Sequence, residues 1–284
     1  MAIKNRWIIY FTERFPLPVN LIVSAGLAIT SQTLVGVPHR RAWIATFWGS
    51  FLFSATLRFM DETKDYEKDK IAHPHRPLPR GLFSLSEFSR AIWISLALMV
   101  LTASACAYWI SLNSGLLYLG VSAYLYLMYR EFFLGERLQK KPLLYAITHQ
   151  IVILGLALFV MESFGSEHRE LGLRLGAFYL GAFFMYEICR KLDPKAHPAL
   201  QTYLSVYGRG RSAALALMVG LLSLWAAFQL NLFLWIAPCI GLTWLSLLLM
   251  WIAPKKHKWI EGTATLSLLM HLWAAPLAHW MSRV

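Results

Sequence analysis

The chain has 284 residues, 57% of them hydrophobic and 15% charged, with a net charge of +12 and a mean hydropathy of +0.50. A soluble domain carries about 25% charged residues, and here the charges are clumped between apolar runs of about twenty residues, the length that crosses a bilayer core. A soluble fold is therefore set aside, and in lipid such runs are helical, because every backbone polar group needs a partner within the chain.

Taken in order, the apolar runs predict nine transmembrane helices over 16–36, 43–60, 89–110, 115–130, 142–162, 171–189, 212–229, 232–252 and 259–281. The first starts late and no small-residue cleavage site follows it, so no secretory signal peptide is expected. Connections such as 111–114 and 229–231 are very short. The expectation is an all-α integral membrane protein, one domain over 1–284, built as a bundle of about nine helices.

Lys and Arg concentrate before the first helix and after the second, fourth, sixth and eighth. That asymmetry places the N-terminus and the polar loops in the cytoplasm and the C-terminus outside, in a bacterial-type inner membrane. It also assigns the net positive charge to membrane lipids rather than to nucleic acid. Cys106, Cys189 and Cys239 fall in or at the ends of apolar helices, without the spacing of a metal cluster or disulfide framework, and read as packing residues.

The second helix runs into Asp61-Glu62-Thr63-Lys64-Asp65-Tyr66-Glu67-Lys68-Asp69. Continued as a helix, this stretch puts Glu62, Asp65 and Asp69 within an arc of about 60°, with Arg58 on the same side, Asp61 at the edge, and Lys64 and Lys68 pointing elsewhere. Grouped hard oxygen ligands suit Mg²⁺, which takes one or two carboxylates plus waters and substrate phosphates. A solvated helix end marking the membrane boundary is the other reading of the same spacing. Lys70, His73, His75, Arg76 and Arg80 follow, in a loop stiffened by Pro74, Pro77 and Pro79. Metal-bridged carboxylates beside Lys and Arg hold a diphosphate and stabilise it as it departs. The two histidines read as surface or phosphate-contact groups.

Further along, Arg130 ends the fourth helix as a diphosphate contact or an interfacial anchor, and Tyr118, Tyr124, Tyr126 and Tyr129 form a packing or channel-lining stripe. His149 lies roughly two turns inside the fifth helix, where ionisable groups face the bundle interior. It serves either to orient an acceptor or assist its deprotonation, or as an interhelical hydrogen bond. The sixth helix ends in Glu187, Arg190, Lys191 and Asp193.

The pattern Asp61-Glu62-x-x-Asp65-x-x-x-Asp69 with Arg76-Pro77-Leu78-x-x-Gly81, in a nine-helix chain, resembles the UbiA superfamily of intramembrane prenyltransferases. The resemblance implies Mg²⁺-dependent transfer of a prenyl group from a prenyl diphosphate to an aromatic or other lipid acceptor. It assigns Asp61, Glu62, Asp65 and Asp69 to a first metal site and Glu187 and Asp193 to a second, with Asp65, Asp69 and Arg76 as the catalytic set. Arg76, Arg80, Lys70, Arg130 and Lys191 become diphosphate-binding residues, and His149 an acceptor-pocket residue. Two departures stand out: Glu62 replaces the usual Asp, and Lys191 takes a slot where the second motif has a carboxylate. Lys191 then substitutes in part for the second ion, or Glu187 and Asp193 hold it in changed geometry. A non-catalytic or repurposed relative and a metal-dependent phospholipid head-group transferase are the alternatives.

Overall fold

Side-chain caps and turn residues set where the helices start and stop. Ser84 and Glu87 form a reciprocal capping box, with the Ser84 hydroxyl accepting from the Glu87 amide and Glu87 Oε2 accepting from the Ser84 amide at 2.8 Å. Ser111 and Thr202 cap in the same way through their hydroxyls, and Gly36 ends a helix in the left-handed conformation. A computed structural model describes residues 3–283, and among these residues the regular structure is entirely helical.

The helices are α1 (Ile3–Glu13), α2 (Leu17–Val35), α3 (Arg40–Lys64), α4 (Tyr66–Ala72), α5 (Leu85–Trp109), α6 (Leu112–Tyr129) and α7 (Gly135–Gln139). They continue as α8 (Pro142–Gln150), α9 (Val152–Phe164), α10 (Arg169–Arg190), α11 (Tyr203–Gln229), α12 (Phe233–Ser246), α13 (Leu249–Ile252) and α14 (His257–Met281). Every expected span coincides with one helix or an end-to-end pair: α8 and α9 share the fifth, α12 and α13 the eighth. Among the described residues, 6 of these segments are long and apolar enough to cross a membrane on composition alone. The others, α3, α6 and α14, turn much of their polarity inward: Thr46, Ser50, Thr56, Ser114, Ser122 and His271 are all buried. Outward-facing Trp93, Leu101, Leu221, Trp225 and Leu245 give the bundle an apolar outer surface.

Consecutive spans pack side by side, from α2 with α3 through α5, α6, α9, α10, α11 and α12 to α14, and α14 returns to pack on α2. Small residues make this closure possible, as is usual where helices meet in lipid. Thr30 Oγ1 donates to the Leu272 carbonyl at 2.6 Å. A Cβ at Gly26 would lie 3.0 Å from Leu272 Cβ and 3.1 Å from its carbonyl oxygen. A Gly26→Leu variant is therefore expected to lose about 1–3 kcal/mol through forced separation of α2 and α14, read as a lower melting temperature in detergent.

Two local breaks shape the polar end of the bundle. Gly208 has φ +71 inside α11, a conformation that frees the Tyr203–Tyr207 turn from the long helix behind it. Between α8 and α9, beside Ile151, the Tyr124 hydroxyl reaches across from α6 and donates to the Thr148 carbonyl at 2.8 Å. Tyr118 is a second strut, donating to the Gly49 carbonyl at 2.8 Å. At least these two tyrosines of the stripe are packing elements.

Candidate active site

The acidic run does not continue as one helix. α3 ends at Lys64, Asp65 stands at φ −89 and ψ 3, and α4 restarts at Tyr66, although the Asp65 and Asp69 amides still reach back four residues at 2.9 and 2.8 Å. The break sorts the acids into two groups.

The first group is fixed by arginines. Glu62, with a fully buried side chain, accepts through Oε1 from Arg14 Nε at 2.8 Å and from Arg58 Nη2 at 2.5 Å. Its Oε2 is buried with no hydrogen-bond partner. Asp69, also buried, takes Arg76 Nη1 on both oxygens at 2.6 and 2.7 Å. Helix α1 braces this side: Tyr10 and Phe15 join Leu78, Phe83 and Phe88 in a separate aromatic cluster under the 73–84 loop. Arg6 of α1 donates to the Leu82 carbonyl at 3.1 Å and pairs with Glu87 at 3.1 Å. The loop that carries Arg76 is thus clamped by a helix outside the predicted spans.

The second group faces the sixth span. Among the described residues, the half-buried Asp61 and Asp65 have no side-chain hydrogen bond or ion pair, yet Asp61 feels the charges of Asp65 and Glu187, and Asp65 those of Asp69 and Lys191. Burial pushes the Asp65 carboxyl above its ordinary range, and Lys64 beside it acts in the opposite direction. Glu187 is held by two cations of its own helix end, Arg190 at 2.6 Å and Lys191 at 2.6 Å. Lys64 Nζ lies 3.1 Å from His149 Nε2, and the Tyr145 ring stacks on His149 with centroids 4.0 Å apart. The two acidic helix ends, far apart in sequence, thus lie within electrostatic reach of one another. Nearby in the chain, α4 packs against residues 198–200.

The remaining expected residues sit further out. Lys70 pairs with Glu67 at 3.4 Å, and Arg80 joins Glu13 at 3.0 Å and the His75 carbonyl at 3.0 Å. The exposed Arg130 covers the Phe133 ring, 5.5 Å from its centroid. Asp193 accepts from the Lys195 amide at 2.8 Å, and its carboxylate lies 3.4 Å from His257 Nε2 at the start of α14 without forming a hydrogen bond. The sequence reading gave Arg14, Arg190, Lys64 and Tyr145 no part in the site. The Glu187–Arg190 spacing of three was the available signal for one of them; Arg14 gave none, since only the fold brings α1 to α3.

Among the described residues no three His, Cys, Asp or Glu side chains form a ready cation cage. A divalent ion that completes its shell with water and phosphate oxygens needs only one or two carboxylates. Asp61 and Asp65, unpaired and half-buried, meet that need, and the orphan Glu62 Oε2 is one more unused acceptor nearby in the sequence.

Comparison with known proteins agrees with this architecture. The model of the UbiA prenyltransferase family matches residues 19–277. The digeranylgeranylglyceryl phosphate synthase of Thermococcus kodakarensis is 34% identical over 83 residues, a stretch covering 28% of this chain and 29% of that enzyme. The match therefore spans under a third of the relative's length. A solved structure from work on digeranylgeranylglyceryl phosphate synthase in membranes shares the fold, with a TM-score of 0.66 at 16% identity over 95% of this chain and 97% of that one.

Proposed function

Since the chain belongs to the UbiA prenyltransferase family and is a multi-pass membrane protein, we propose that it moves a prenyl group from a prenyl diphosphate to a lipid or aromatic acceptor in a Mg²⁺-dependent reaction. The observation that supports this reading is the pair of carboxylates Asp61 and Asp65, without partners among the described residues and within electrostatic reach of Glu187 and Lys191 at the end of an apolar helix. In this reading the prenyl tail lies among the helices and the diphosphate at their polar ends, and the Lys and Arg distribution supports a cytoplasmic side for those ends.

Asp61 and Asp65 would hold the divalent ion, with Glu187 across from them. When bound, the ion neutralises the diphosphate and eases its departure. Arg76, fixed by Asp69, and Lys191, fixed by Glu187, add positive charge where negative charge develops. The prenyl C–O bond breaks with its electron pair going to the diphosphate. The acceptor nucleophile then bonds to the allylic carbon and releases its proton to solvent at the polar helix ends. Glu62 serves this site from behind, as counter-charge to Arg14 and Arg58, and Asp193 by shaping the turn after the sixth span through the Lys195 amide. The protein positions and stabilises without a covalent nucleophile.

Incubating purified protein with labelled prenyl diphosphates, Mg²⁺ and a membrane-lipid extract is expected to yield a labelled lipid and one inorganic diphosphate per turnover. A glyceryl phosphate lipid and an aromatic lipid, supplied separately, identify the acceptor class. No product from any donor would sink the reading. Glu187→Gln is expected to lower turnover at least tenfold and to raise the Mg²⁺ concentration at half-maximal rate, with a modest drop in melting temperature from the lost pairs with Arg190 and Lys191.

A further inference from the structure

Lys64 has an unusual set of neighbours. It sits one residue from Asp65 and three from Asp61, and both carboxylates feel its charge, yet it forms an ion pair with neither. Its hydrogen-bond partner is His149 on α8, at 3.1 Å. An ammonium has donors and no acceptor, so Lys64 donates and His149 Nε2 accepts. The proton of the ring then lies on Nδ1, which donates to the Tyr145 carbonyl at 2.7 Å. Tyr145 completes the fixture, stacked on His149 and presenting its ring face 5.1 Å from Lys64 Nζ.

A neutral imidazole and a π face orient an ammonium without cancelling its charge. Lys191 differs: it also covers an aromatic ring, that of Tyr203 at 5.8 Å, but one of its donors is already engaged by the Glu187 carboxylate at 2.6 Å. Among the described residues, two of the three Lys64 donors have no protein acceptor. Such a group is ready for an anion with several acceptor oxygens.

We infer that Lys64 is a diphosphate-binding residue of this site and that His149 is the positioning residue that holds it. This rests on the prenyl diphosphate reading above and gives His149 a role other than binding or deprotonating the acceptor. His149 acts on the leaving group, through Lys64, from a helix that carries no acidic motif.

The test is calorimetric binding of inorganic diphosphate with Mg²⁺ to full-length protein in detergent. Wild type is expected to bind, Lys64→Met to bind at least tenfold more weakly, and His149→Leu about threefold to tenfold more weakly. His149→Gln, whose side-chain oxygen can accept in place of Nε2, is expected to stay within about twofold of wild type. In the Lys64→Met background, His149→Leu should add no further loss, because the two act as one unit. Wild-type affinity in Lys64→Met or in His149→Leu, or full additivity in the double variant, would overturn the inference while leaving prenyl transfer standing. Absence of diphosphate binding by the wild type would overturn both. Lys64→Met lies at the solvent-reaching end of α3, so it decides the matter even where His149→Leu lowers the melting temperature.

Discussion

Asp65→Asn is expected to reduce prenyl transfer by on the order of 10³-fold and to leave the melting temperature of the protein nearly unchanged. The side chain has no protein hydrogen-bond or ion-pair partner among the described residues, so the amide breaks nothing in the ligand-free fold. What it removes is one of the two unpaired carboxylates available for a divalent ion, and the neutral amide is a far poorer ligand for a hard cation. Since burial already holds the Asp65 charge at a disadvantage, its loss is expected to raise the melting temperature slightly if it moves it at all. Labelled product formation and thermal unfolding, measured on the same preparation, check both halves. Equal product from wild type and Asp65→Asn would remove Asp65 from the site.

Glu62→Gln is expected to give the opposite profile. Glu62 is the counter-charge for both Arg14 and Arg58, and its side chain is fully buried while theirs are 15% and 25% exposed. Neutralising it strands two largely enclosed guanidinium groups, and breaking a buried pair in this way costs about 3–5 kcal/mol. The seam that fails first joins α1 to α3, so the 73–84 loop and Arg76 lose their brace along with it. The expected readouts are a large drop in melting temperature and early proteolysis near the N-terminus. A variant as stable as wild type would mean that solvent or lipid head groups already neutralise the two arginines.

These two acids are neighbours in sequence terms, and the helical arc drawn from sequence placed Glu62, Asp65 and Asp69 together. What the fold distinguishes is their partners: arginines from three places, Arg14, Arg58 and Arg76, capture Glu62 and Asp69, while Asp65, at the break between α3 and α4, has none among the described residues. The spans themselves were legible, since twenty apolar residues in lipid have one solution. The pairing of Asp61 and Asp65 with the end of the sixth span came only from the family resemblance, since neither spacing nor periodicity links the two helix ends. What escaped was every contact made across large sequence distances: Arg14 with Glu62, Lys64 with His149, and the docking of α1 under the loop. Periodicity describes one helix at a time and carries no information on which neighbour supplies a counter-charge. Lys64 shows the limit well, because pointing away from the acidic face turned out to mean pointing toward α8.

The contact between Thr30 and Leu272 joins residues 242 positions apart. At a synthesis rate of about 5–20 residues per second, the first of these waits on the order of 10–50 s for the second to leave the ribosome. During that interval α2 presents its Gly26 surface uncovered to whatever surrounds it. Closure of the ring therefore comes late in synthesis, and a chain halted before α14 keeps an open seam along α2.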